Sequence, residues 1–335
     1  MEKWRKNMIN KNYYRATEQN CWTGRNDGDD WVQMRWWQIV QAIQLNEIGK
    51  EELEHSLVFL GFECDEGVAR NKGRVGAIKG PESLRKVFSN LPVHFFPYQK
   101  IVDLGNIICT NKNLEEAQKH LSMTVAMILE KGGFPFLLGG GHEILYGHSV
   151  GVRKNYPNKK IGIVNFDAHF DLRKPIENIA TSGNGFYQIA EDCKRENNDF
   201  LYFVLGIQES SNTLELFDRA KNLDVNYILA RDIHLLNIEK IKNELKNFLN
   251  KTDIVCLTID LDVFASADSP GVSAPTPNGL RYDFVFYEII KCLAESKKVV
   301  SIDFAELNPN FDIDHRTAKL AANIAFDWVN LNRDK

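Results

Sequence analysis

Six short apolar runs recur along the 335 residues: LVFLGF (57–62), FPFLLG (134–139), KIGIVNF (160–166), LYFVLGI (201–207), DIVCLTI (253–259) and KVVSIDF (298–304). Each is nearly continuous rather than alternating, the pattern of a strand buried on both faces. Weaker runs stand at KIVDLG (100–105) and VNYILA (225–230). Between them lie amphipathic stretches. Leu114, Ala117, Leu121, Val125 and Ile128 keep helical spacing until Gly132 and Gly133 stop the pattern, and Tyr282, Val285, Phe286, Ile289 and Leu293 repeat it. Strand alternating with helix predicts a single-domain α/β fold of three layers, with a central, mostly parallel sheet of about eight strands and helices on both faces. The first 45 residues, with Trp22, Trp31, Trp36 and Trp37, contain no strand signal. They read as a helical or irregular cover over 1–50, packed on a main domain at 51–335.

Apolar residues make up 44% and charged residues 26%, enough for a large core and contrary to disorder. The net charge of -4 and pI near 6.1 offer no basic footprint, which excludes nucleic acid as a partner. The start, MEKWRKNMINKNYY, has neither the apolar core nor the cleavage site of an export signal, and no run approaches the roughly 20 apolar residues of a membrane span. Six scattered cysteines form no Cys-x-x-Cys pair, as free thiols do in a reducing compartment. A cytoplasmic chain with no membrane partner is expected.

Four of the strong runs end in polar residues of one kind. FPFLL leads into GGGHE (139–143), IGIVNF into DAHFD (167–171), IVCLTI into DLDVF (260–264) and KVVSI into DFAELNP (303–309). Ligands of open parallel sheets bind beyond the carboxyl ends of the strands. In an extended chain, residues two apart share a face, so Asp167, His169 and Asp171 should point together, as should Asp260 and Asp262. A lone Asp-x-Asp is usually a turn or cap, and Gly-Gly-Gly before a histidine a tight turn. Four carboxylates at one sheet edge differ, because burying even one unpaired ion costs several kcal/mol. Two divalent cations offset four carboxylates, and His142 and His169 complete an oxygen and nitrogen donor set, free of thiolate, that suits Mn²⁺ best. Such a pair lowers the pKa of a shared water for attack on an electrophilic carbon. Other chemistries fail on spacing. His148 follows His142 by six residues instead of the four of a zinc-protease helix, GGGHE lacks both the phosphate-loop lysine and the dinucleotide spacing, and no Gly-x-Ser-x-Gly occurs.

In this order, GGGHE, NFDAHFD, TIDLDVF and SIDFAELNP resemble the signature segments of the ureohydrolase (arginase/agmatinase) family, over roughly residues 55–330. The resemblance implies two Mn²⁺ per chain, with His142 and Asp171 as terminal ligands of one ion, His169 and Asp262 of the other, and Asp167 and Asp260 bridging both. It implies attack of a metal-bridging hydroxide on an amidine or guanidine carbon, in a ureohydrolase-type catalytic domain at 51–335. Glu306 matches the catalytic carboxylate that pairs with the substrate's cationic end; its alternative reading is a structural salt bridge. Trimers and hexamers are common in the family, which leaves a homo-oligomer open.

Within the family, GFECDEGVARNKGRVGAIKGP (61–81), WTGRNDG (22–28), HFDLR (169–173) and PGVSAPTPNG (270–279) are similar to formimidoylglutamases. That branch implies hydrolysis of N-formimino-L-glutamate to L-glutamate and formamide, a step of histidine degradation. A small-molecule substrate with two carboxylates needs cations around its tail. Arg173, Arg74, Ser182 and Asn184 are the candidate substrate contacts; Arg25 and Arg74 read equally as surface arginines. The loop TSGNGF (181–186) stands where the branch commonly reads SSGTPF. Asn-Gly for Thr-Pro frees the backbone and keeps open a guanidino substrate of agmatinase, guanidinobutyrase or arginase type. A non-catalytic metal-binding protein is the third reading, although its usual mark, a missing ligand, is not found here. Residues 172–233 contain no histidine, so the proton donor to the departing amine is unassigned. His94, His148, His234 and His315 show no partner pattern.

Overall fold

The computed structural model describes residues 10–49, 53–95 and 99–332; the charged stretch 1–9, part of the start read above for an export signal, lies outside them. Among the described residues ten strands form one sheet: β1 Tyr14–Arg15, β2 Val40–Ala42, β3 Ser56–Glu63, β4 Lys100–Ile108, β5 Phe134–Leu138, β6 Ile161–Phe166, β7 Leu201–Ile207, β8 Asn226–Leu229, β9 Ile254–Asp260 and β10 Val299–Ala305. Their order is β1-β4-β3-β5-β10-β9-β6-β7-β8, with β2 also paired to β4. Every pairing is parallel except β1 with β4.

The eight apolar runs are β3 to β10, so the expected count falls short by two. Both additional strands come from the first 45 residues, where none was expected. They are two and three residues long, too short to carry a period of their own. Their partner is the open edge of β4, where β2 takes Ile101–Asp103 and β1 takes Asn106–Ile107. Unpaired edge groups recruit short segments of any composition that lies against them.

The helices are α1 Trp36–Ile39, α2 Glu66–Arg70, α3 Gly80–Phe88, α4 Leu114–Glu130, α5 Ile144–Asn155, α6 Gly185–Arg195, α7 Leu214–Asn222, α8 Ile238–Leu249, α9 Phe284–Glu295 and α10 Arg316–Leu331. Two buried clusters divide them between the sheet faces. Leu57 and Phe59 of β3 belong to the cluster that takes in residues of α3, α8, α9 and α10, whereas Val58, Leu60 and Phe62 belong to the one that takes in residues of α4, α5, α6 and α7. Alternate side chains of each strand therefore enter opposite cores, which is why the runs are continuously apolar. At about 1.5–3 kcal/mol for each large apolar side chain buried, the two cores supply the main stabilising term. In α4 the periodic stretch has its boundaries in side-chain and backbone chemistry. Asn113 caps the start by accepting the Glu116 amide at 3.1 Å, and Gly132, at φ 76°, adopts the left-handed turn that ends it. No described helix is long and apolar enough to cross a membrane.

Candidate metal centre

The four runs with polar ends are β5, β10, β9 and β6, which are neighbours at the middle of the sheet. Because they are parallel, the segment that follows each strand is delivered to the same edge.

After β5 the chain crosses that edge through Gly139, Gly140 and Gly141, whose amides donate to the carbonyls of Phe304 (2.8 Å), Phe62 (3.0 Å) and Cys64 (2.9 Å). A Cβ at position 140 would lie 1.8 Å from the Cys64 carbonyl oxygen, so glycine alone permits this approach. The crossing ends at His142, whose amide donates to Glu306 Oε1 at 2.9 Å.

After β6 and β9 the extended strand ends expected from alternation do not form. β6 stops at Phe166, and Asp171 is left-handed at φ 47°. Asp167 Oδ1 accepts the His169 amide at 2.7 Å, folding the segment back. Asp262 sits in a short 3₁₀ turn, Leu261–Val263, where Asp260 Oδ1 accepts its amide at 2.9 Å. Both sets of side chains converge through carboxylate-to-amide turns rather than through a strand period.

His142 Nδ1 lies 3.0 Å from Asp171 Oδ2 and 3.1 Å from both Asp167 Oδ2 and Asp260 Oδ2. His169 Nδ1 lies 3.2 Å from Asp262 Oδ2 and 3.4 Å from Asp167 Oδ1. Two groups of donor atoms result, each with its members within 4.8 Å of one another: His142, Asp167, Asp171 and Asp260, and then Asp167, His169 and Asp262. Asp167 belongs to both. His169 and Asp171 are partly exposed while the other four are buried, so the centre opens on their side.

Burial opposes a charge on His142, but hydrogen bonds to Asp167, Asp171 and Asp260 outweigh it and hold the imidazole well above its ordinary range. Burial opposes the charge on Asp167 too, yet the two imidazoles hold that carboxyl below the usual carboxylate range. Burial first, then the Asp167 charge, pushes Asp171 and Asp260 up. Burial and Asp260 push both Asp262 and Glu306 well up. Five acidic groups thus face two imidazoles. Asp262 Oδ1 and Glu306 Oε2 are buried with no hydrogen-bond partner. An oxygen-rich donor set with two imidazoles, a surplus of negative charge and orphaned carboxylate oxygens fits divalent cations.

Glu306 follows β10 in the left-handed region at φ 68°, a conformation that costs energy and recurs at functional sites. The four candidate substrate contacts are placed unequally. Arg173 is exposed and lies beside Gly183, whose carbonyl accepts its amide at 3.0 Å. Ser182 is buried, and its Oγ accepts from Asn71 at 3.2 Å. Asn184 uses its amide within the loop, on Thr181, Ile179 and Gln188. Arg74 holds the 272–273 backbone, donating to Val272 (2.5 Å) and Ser273 (3.1 Å), and lies 4.0 Å over the Phe311 ring. Arg25 pairs with Asp27 at the surface. His148, without a readable partner in the sequence, is buried against Asp303 at 2.5 Å.

Residues 55–330 match the family model of the arginase family. The chain belongs to the arginase family. Among curated arginase-family relatives, a formimidoylglutamase of Clostridium tetani (strain Massachusetts / E88) is 41% identical over 323 residues, covering 94% of this chain and 95% of the relative. A formimidoylglutamase of Chromobacterium violaceum is 42% identical over 311 residues, covering 92% and 97%. Among solved structures, a Trypanosoma cruzi formiminoglutamase with Mn²⁺ shares the fold at a TM-score of 0.74 and 24% identity, covering 86% of this chain and 96% of that one.

Proposed function

We propose that this chain hydrolyses N-formimino-L-glutamate to L-glutamate and formamide, a step of histidine degradation. The observation that carries the reading is the similarity, over more than nine-tenths of the chain, to formimidoylglutamases at 41% and 42% identity. The convergence of six ligand-type side chains supports it.

His142, Asp171 and Asp260 would hold one Mn²⁺ and His169 and Asp262 the other, with Asp167, which belongs to both donor groups, within reach of either; the family resemblance would make Asp260 a second shared ligand, although it stands in the first group alone. The manganese in the Trypanosoma cruzi enzyme supports the choice of ion. When bound, the ions supply the Lewis acidity that makes water nucleophilic near neutral pH. Glu306 is tied through Oε1 to the His142 amide, which leaves Oε2 to accept from the substrate's amidinium and orient its carbon. Phe186, stacked 4.0 Å from Tyr202 and edge-on to His142 at 5.7 Å, fills one flank with hydrocarbon and keeps water from it. Arg173, exposed two residues beyond Asp171, would be the cation for the carboxylate tail.

Manganese-loaded protein offered formiminoglutamate, arginine, agmatine and guanidinobutyrate should release formamide from the first and little urea from the rest. Preferential urea release favours the second reading, a guanidino substrate, which the Asn184-Gly185 step of the loop supports. In the same assay Asp167→Ala should lose both ions and nearly all activity, whereas Glu306→Gln should keep both ions and lose about 100-fold in turnover.

A further inference from the structure

Cys64 and Cys109 are far apart in the sequence, and the fold sets them side by side. Cys64 follows β3 and Cys109 follows β4, two parallel neighbours whose last register partners are Glu63 and Ile108. The ladder runs one step further, with the Cys109 amide donating to the Glu63 carbonyl at 3.2 Å. Neighbouring strands stand about 4.8 Å apart, inside the roughly 4.4–6.8 Å between α-carbons that a disulfide spans. The side chains meet, because the Cys64 thiol hydrogen-bonds the Cys109 sulfur. Both are free thiols in this structure.

The two thiols are unequal. Cys109 is partly exposed, whereas Cys64 is completely buried. Hydrogen bonding from Cys64 holds the Cys109 thiol below its ordinary range against the effect of burial. The same bond, and then burial, push Cys64 up. Cys109 therefore supplies the thiolate, the form that attacks an oxidant, and Cys64 stands behind it as the resolving thiol.

Cys64 is also packed against the glycine crossing that ends at His142. Its carbonyl accepts the Gly141 amide at 2.9 Å, and its thiol donates to Glu143 Oε1 at 3.6 Å. The same carbonyl oxygen lies 1.8 Å from where a Cβ at position 140 would stand, so no free space separates Cys64 from the crossing. Hydrogen-bonded sulfurs are further apart than the about 2.05 Å of a disulfide. Closing the bond draws Cys64 towards Cys109, and with it the segment that presents His142.

We infer that Cys64 and Cys109 form a reversible disulfide with a small hydroperoxide as oxidant, and that closing it shifts His142 and lowers turnover. The Cys109 thiolate attacks one peroxide oxygen; the O–O bond breaks, Cys109 becomes a sulfenic acid, and the departing hydroxide takes up the proton that Cys109 had released. The Cys64 sulfur then attacks the Cys109 sulfur, the S–O bond breaks, and the second hydroxide leaves as water with the Cys64 proton. Two thiols lose two electrons while the peroxide is reduced to water. Bond formation is independent of the metal-centre reading above; its effect on turnover rests on that reading.

The test treats the full chain with hydrogen peroxide, frees it of peroxide and loads it with manganese. Unfolded without reductant, the protein should have lost two of its six thiols, and digestion should give a linked pair of peptides containing residues 64 and 109. Turnover with formiminoglutamate should fall about 10-fold and return with dithiothreitol. Cys109→Ser should give no linked peptides and keep its turnover through the same treatment. Cys64→Ala should stop at the sulfenic acid, which dimedone then labels on Cys109, and carries the test if Cys109→Ser does not fold. Six thiols after treatment, or linkage through the exposed Cys21 instead, overturns the pair. A linked pair with unchanged turnover overturns the coupling to His142, as does a loss that persists in Cys109→Ser. Reduced protein that binds no manganese or leaves formiminoglutamate intact overturns the functional reading alone, and the peptide map still decides the disulfide.

Discussion

Glu143 stands next to His142 in the chain but is held by different groups. It is fully buried, with Oε1 accepting the Gly67 amide at 2.8 Å and the Cys64 thiol at 3.6 Å, and Oε2 without a partner. Burial pushes its carboxyl up to about 7 from the ordinary 4.5. The folded chain therefore keeps a proton that the unfolded chain releases, and this contribution is fully present below pH 4.5 and lost as pH rises through 7. The displacement corresponds to about 3 kcal/mol. Glu143→Gln removes the titration, so its stability relative to wild type should grow by about that amount between pH 4.5 and 8, read by urea unfolding at each pH; a constant difference would refute it. At this scale the sequence was legible where chemistry restricts the residue type. His142, His169 and the four aspartates, picked out at the strand ends by residue type, are brought together by the fold, and Glu306 meets the His142 amide. Thr258, which meets His142, and His148 could not be picked out. A hydroxyl has no distinctive sequence signal, and His148 finds its partner 155 residues away.

Among the elements, β4 shows why a weak strand signal can mark a strong constraint. Its run, KIVDLG, is broken by Asp103 and Gly105, yet Asp103 is completely buried. Arg85 of α3 grips both its oxygens, at 2.7 and 2.9 Å, and also donates to Asn106 and to the Gly105 carbonyl. Trp22, from the N-terminal stretch, donates to the same carboxylate at 2.7 Å. One carboxylate thereby ties a helix, a strand and Trp22 of the N-terminal stretch together. Removing the cation leaves a buried, uncompensated charge, so Arg85→Met should cost about 3–5 kcal/mol. Urea unfolding measures it, and a loss below about 1 kcal/mol would show the pair to be dispensable. Long elements such as α4 were readable from their period, because burial of one face imposes it locally. β1 and β2 were not, since their pairing is decided by an edge of β4 that lies far along the chain.

At the scale of the whole molecule, the four central strands deliver a surplus of acid to one end of the sheet, and the fold carries that repulsion unless cations offset it. Ions that bind only the folded chain stabilise it by mass action, about 2.7 kcal/mol at a hundred times Kd. Chelation of the manganese-loaded protein should therefore lower Tm by several degrees. Asp167→Ala should abolish the response to chelator, and a wild-type Tm indifferent to it would contradict the assignment. The sequence by itself determined the layered α/β architecture and the residue types at the strand ends, because both follow from local periodicity and from the few side chains that suit the chemistry. Only the tertiary structure decided how those side chains meet. Asp171 turns in through a left-handed backbone and Asp260 through a carboxylate-to-amide turn, and His142 meets Thr258 Oγ1 through Nε2 while Nδ1 faces the carboxylates. The first two are turns that interrupt the strand period, and the third joins residues 116 positions apart, so the alternation read from the sequence encodes none of them.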